Sequence, residues 1–152
     1  MKSERPISSY PNSSQLRLNS KILSQDLINL GCIPKKSLVL GFPEIPKEYL
    51  CHFVRGFFDG DGSIHFNKPN TIKISFISTQ KFLEKLQIEL NKELNIKIGP
   101  LSREKKMHIA LYYGDDARKL CYWMYENSKG LYLIRKKERF DKHITLRTNG
   151  AI

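Results

Sequence analysis

The chain has 152 residues, 40% of them hydrophobic, enough for one packed domain and too many for a disordered or fibrous chain. Its 26 Lys and Arg against 15 Asp and Glu leave a net charge of +11, which points to a polyanionic partner, most often nucleic acid. The cations are scattered rather than gathered on one helix face, and no apolar run reaches membrane-spanning length, so a membrane partner is not expected.

Cys32, Cys51 and Cys121 form no CxxC pair, which argues against a disulfide framework and a zinc site. They are expected to be reduced, mostly buried thiols in an intracellular protein. The first residues carry no apolar signal-peptide core. A composition rich in Lys, Ile and Asn suits an AT-rich genome, organellar (chloroplast or mitochondrion) or bacterial.

Residues 1–15, rich in Ser, Pro and Asn, read as a flexible lead-in. "QLRLNS" alternates as a short strand through Leu16 and Leu18. "SKILSQDLINLG" has the helical period, with Ile22, Leu23, Leu27 and Leu30 on one face and Gly31 as its stop. An irregular stretch follows, and Pro46 opens a helix that places Leu50, Phe53, Val54 and Phe57 in the core. "SIHFN" and "TIKISF" alternate as strands about a "KPN" turn, and Leu83, Leu86, Leu90 and Leu94 line a further helix. A hairpin is expected around Gly99-Pro100 and the basic Arg103–Lys106 stretch, before two closing helices. Segments starting at Leu16 and Ile109 also align without gaps, matching Leu27 to Leu120 and Leu40 to Leu133. Residues 16–45 therefore read as the strand–helix tail of a first repeat, and 46–152 as the main domain.

The chemistry concentrates at Asp59 and Asp61, in "DGDG" at the end of the Pro46 helix. A helix C-terminus carries partial negative charge and disfavours carboxylates by a few tenths to about 1 kcal/mol. A divalent cation would compensate, since Asp is a hard oxygen ligand suited to Mg²⁺ and glycine permits close approach. The plainer alternative is a turn that ends the helix. An EF-hand is excluded, because Ile64 and Asn70 stand where that loop needs its glycine and its bidentate Glu. His52, Gly56 and Gly60 recur every four residues, a small-residue face that another helix could approach closely.

"FVRGFFDGDGS" (Phe53–Ser63) resembles the signature of the LAGLIDADG homing endonucleases, with Asp59-Gly60-Asp61-Gly62 at the DADG of the name. The resemblance extends through the element order over about residues 46–145. Arg55 departs from it, standing where the motif has Ala. The resemblance implies an α+β fold of αββαββα order, with helices on one face of a four-stranded antiparallel saddle sheet. Two motif helices would pack side by side, from a homodimer or a second repeat, each delivering its last Asp to double-stranded DNA. Here that residue is Asp61, with the Gly60 carbonyl as a second metal contact and Mg²⁺ as cofactor. The role of Asp59 stays open. The resemblance also assigns Gln80 to ordering water and Arg135 or Lys136 to stabilising charge at the phosphate. Gln80 could equally cap the next helix, and the basic run could be a solvated face. Ser63, His65, Asn67, Lys73, Ser75, His108 and Tyr112 are the expected groove readers, with Arg103, Lys105 and Lys106 on phosphates. The expected activity is a sequence-specific, metal-dependent staggered double-strand break. A chain with one motif must pair to make it, or belong to a longer two-motif protein. The alternatives are a non-cleaving relative, such as a maturase, a regulator or a degenerate fragment, and an unrelated basic α+β domain.

Overall fold

The structure, a computed structural model, describes residues 7–11, 13–34, 38–67 and 71–148. The chain divides after Pro34 into two compact units. In the first, β1 (Ser8–Tyr10) pairs antiparallel with β2 (Ser13–Gln15), so the expected lead-in contains a hairpin. Leu16 and Leu18 lie beyond it in no strand, against the alternation of "QLRLNS". Helix α1 (Lys21–Asn29) follows, its N-terminus capped where the Ser20 hydroxyl accepts from the Leu23 N–H at 3.2 Å. Gly31, at φ +89°, ends the run. The apolar face of α1 is not buried, because strands of three residues offer no surface to cover it: Ile22 is 76% exposed.

The second unit is α+β. Its elements run α2 (Lys47–Asp61), β3 (Ser63–Asn67), β4 (Thr71–Ser78), α3 (Gln80–Leu94), β5 (Ser102–Glu104), β6 (Met107–Tyr113), α4 (Gly114–Glu126) and α5 (Ile134–Thr148). The αββαββα order, with a further closing helix, is as expected, and the strands form one antiparallel sheet in the order β3-β4-β6-β5. The expected "KPN" turn lies outside the described residues. The second hairpin turns at Lys105-Lys106, inside the expected basic stretch, where Lys105 takes φ +54°. Gly99-Pro100 stays outside any strand.

Ile64, Ile72, Ile74, Phe76, Ala110 and Tyr112 point to one side of the sheet and are buried there beneath the helices. The opposite face is open. From α2, Leu50, Val54 and Phe58 enter the core. Phe57 stands 4.6 Å from Phe82 and Phe58 5.6 Å from Phe76, centroid to centroid, so a network of rings fixes the helix roll. Residues 38–45, read from sequence as first-repeat tail, belong to this unit: Leu40, Phe42 and Ile45 pack on its core. Thr79 ties them down, donating to the Leu40 carbonyl at 2.5 Å while capping α3. Helices α1 and α4 begin at residues 21 and 114, which the repeat alignment superposes, but nothing in the first copy matches β6. Of the cysteines only Cys121 is buried; Cys51 is half-buried and Cys32 exposed.

His143, on α5, is buried with its ring stacked 5.1 Å from Phe66. Burial, reinforced by Arg118 and Arg147, holds the imidazole below its ordinary value of 6.5. Below that pH the unfolded chain binds a proton the folded one resists, so stability is present above 6.5 and lost as pH falls. Melting temperature should drop between pH 7 and 5, and His143→Phe should flatten that drop. An unchanged pH profile in the variant would refute the assignment.

Candidate metal centre and nucleic-acid face

The helix α2 does not stop before the aspartates; it runs through Asp61, and Gly62 is its C-cap. Gly62 must be glycine, since a Cβ there would lie 2.7 Å from the Phe58 carbonyl oxygen and overlap the Phe58 ring. The carbonyls that end α2 are not left to water. Lys136, 2% exposed, donates from Nζ to the carbonyls of Asp59 at 3.0 Å, Gly62 at 2.6 Å and Phe58. Its ammonium also lies 4.7 Å from the centre of the Phe58 ring. Burial, with Arg135 beside it, lowers the Lys136 pKa, while Asp59 and Asp61 act to raise it.

A cation thus sits where the helix dipole is negative, and its three donors are spent on carbonyls. That separates the two basic candidates. Lys136 holds the end of α2, whereas Arg135 is exposed. Asp59 also resolves: Oδ2 accepts from the Leu133 N–H at 2.9 Å, and Oδ1 is buried without a partner among the described residues. It is structural, holding the entry to α5. Asp61 differs on both counts, being exposed and without a hydrogen-bond or ion-pair partner among the described residues.

As a metal ligand set, one hard carboxylate and the nearby Gly60 carbonyl fit Mg²⁺ in kind but fall short of six ligands. Among the described residues no three His, Cys, Asp or Glu side chains converge. Gln80 is the first residue of α3, not its cap, and donates to Glu84 at 2.8 Å within that helix. Along α2, Tyr49, His52, Gly56 and Gly60 share an exposed face, and nothing lies within 4 Å of a Cβ built at either glycine. Arg55 does not obstruct this face. It turns into the fold and donates to the carbonyls of Met124 and Leu131, both at 2.8 Å, and to His52 Nδ1 at 2.9 Å.

On the open sheet face, Ser63 and Ser75 are cross-strand partners with hydroxyls 2.5 Å apart, and His65 Nε2 lies 3.1 Å from Ser63 Oγ. Asn67 and Lys73 share that face, with Lys73 5.9 Å from the Tyr113 ring centre. Tyr112 and His108 do not belong to it. Register pairs Tyr112 with Ile74 and His108 with Ser78, on the helix side, where Tyr112 is 3% exposed. The outward residues of β6 are Met107, Ile109, Leu111 and Tyr113, opposite Ser75, Ile77 and Lys73 of β4. In "MHIALYY" the more apolar alternate set faces out, which is why alternation alone misassigned it. The stronger Ile72-Ile74-Phe76 pattern of β4 sets the face of its neighbour, and that was the usable signal. Arg103 pairs with His108 and so projects to the helix side, although exposed at the edge; Lys105 and Lys106 are exposed in the turn. Among the described residues no helix is long and apolar enough to cross a membrane. The sequence matches no protein-family model and no curated protein.

Proposed function

We propose that this protein is a sequence-specific, Mg²⁺-dependent DNA endonuclease of the LAGLIDADG homing type, acting through two motif helices packed side by side. The observation that carries this is the end of α2. An unpartnered, exposed carboxylate, Asp61, stands at a helix end whose backbone Lys136 and Asp59 tie to α5, beside a helix face that is open at Gly56 and Gly60.

In this reading Tyr49, His52, Gly56 and Gly60 meet the same face of a partner helix, bringing two Asp61 carboxylates together. Asp61 and the Gly60 carbonyl hold the metal, which supplies activation of water and charge stabilisation at the leaving oxygen. Arg135 meets the scissile phosphate, and Gln80 turns from Glu84 to orient water. The open sheet lies in the major groove. There Ser63, His65, Asn67, Lys73, Ser75 and Tyr113 offer polar contacts, and Ile77, Ile109 and Leu111 suit thymine methyl groups. That this face is half-buried and partly apolar favours a covering partner over bulk water.

The test is incubation with a randomised duplex library and Mg²⁺. Discrete staggered double-strand cuts are expected, from a species of twice the 17.7 kDa chain mass. A monomer both free and on DNA would overturn the pairing. Binding without cutting in either Mg²⁺ or Mn²⁺ would favour the second reading, a non-cleaving nucleic-acid-binding relative. One feature favours that reading: Lys136 is spent on carbonyls inside the fold, and Gln80, though exposed, is bonded to Glu84 of its own helix.

A further inference from the structure

Helix α5 carries a second cationic feature, away from the open sheet face. Arg135, Arg139, Lys142 and Leu146 follow one another at steps of four, three and four residues, so they share a helix face, and all are exposed. Other cations nearby are paired, Lys137 with Asp141 and Arg118 with Asp115. Arg139 and Lys142 have no carboxylate partner among the described residues. Between α5 and β3 lies a recess of about 270 Å³ lined by Phe66, Arg139, Lys142, His143 and Leu146. Its wall is aromatic, formed by the Phe66–His143 stack, and the Arg139 guanidinium lies 5.8 Å from the Phe66 ring centre. That contact orients the planar donors of Arg139, reducing what must be ordered when an anion binds.

We propose that this stripe and recess seat backbone phosphates of a nucleic-acid duplex, carrying the footprint past the sheet onto the outer side of α5. The proposal rests on the DNA-binding reading above. From Arg135 to Lys142 the helix rises about 10.5 Å. One DNA strand presents a phosphate about every 3.4 Å along its axis, so the stripe spans about three successive phosphates. An anionic membrane is the poorer partner. The inward face of α5 is committed to the core through Lys136, Phe140 and His143, leaving Leu146 as the apolar residue of the exposed stripe.

The double variant Arg139→Gln/Lys142→Gln tests this, with Lys81→Gln/Lys97→Gln removing the same charge from exposed positions elsewhere. Anisotropy titrations of a duplex over a salt series are the readout. For the α5 variant the slope of log affinity against log salt should fall by about 2, near 0.9 for each lost phosphate contact. Affinity should weaken on the order of tenfold or more at 0.1 M salt, evenly across sequences. The control pair should move far less, and both variants should melt with the wild type. Equal slopes for the two variants would overturn the proposal while leaving DNA binding intact. Weakened binding to phosphatidylserine vesicles with duplex affinity unchanged would overturn it in favour of a membrane. A wild-type protein with no salt-dependent duplex binding would remove the functional reading and this proposal together.

Discussion

Exchange of Lys136 for methionine is expected to cost the fold about 3 kcal/mol, and about 10 °C in melting temperature. The methionine fills the volume but donates nothing. The carbonyls of Asp59, Gly62 and Phe58 then lose their cation; the Phe58 oxygen keeps the Gly62 N–H at 2.8 Å, but the other two lose a buried donor. The helix dipole also loses its counter-charge. Arg135→Ala should behave oppositely. As an exposed side chain it should change stability by less than about 0.5 kcal/mol while depressing cleavage. Calorimetry of the two variants beside a cleavage assay separates the roles. A melting temperature for Lys136→Met within a degree or two of wild type would show that the clasp on α2 contributes little.

Asp61→Asn is expected to lower cleavage on the order of 10³-fold, the kinetic equivalent of about 4 kcal/mol of lost charge stabilisation. Folding should change little, because Asp61 is exposed and unpartnered: the repulsion relieved at the helix C-terminus offsets the loss of its charge near the Lys136 ammonium. DNA affinity should hold or tighten slightly, as one negative charge leaves the phosphate's neighbourhood. Asp59→Asn makes the contrast. It keeps an oxygen for the Leu133 N–H, so any loss there comes through placement of α5. Cleavage by Asp61→Asn within tenfold of wild type would remove Asp61 from the chemistry.

The second unit was legible where periodicity was strong. The bounds of β3 and the runs of α2, α3, α4 and α5 follow from alternation and helical spacing that propensity and packing both support. Legibility failed where the deciding contact is distant in sequence. Nothing near "LIRKK" reveals that Lys136 reaches carbonyls 74 to 78 residues away while its neighbour Arg135 faces water. Nothing within "MHIALYY" shows that its apolar alternates face out, since that choice belongs to the pairing with β4. In the first unit α1 follows the expected helical spacing, and the segment before it was misread for a different reason. The leucines of "QLRLNS" alternate, but no neighbouring strand pairs with them.

The two-way hold between α2 and α5 has a consequence for the order of assembly. Asp59 anchors the chain at Leu133, and Lys136, one turn later, returns to close over the end of α2. These contacts span most of the unit, so their loop-closure entropy is met only after the sheet and α4 have formed. During synthesis α2 therefore emerges long before the segment that steadies it. On the proposed function, competence to cut DNA would then wait until α5 has docked against the end of α2.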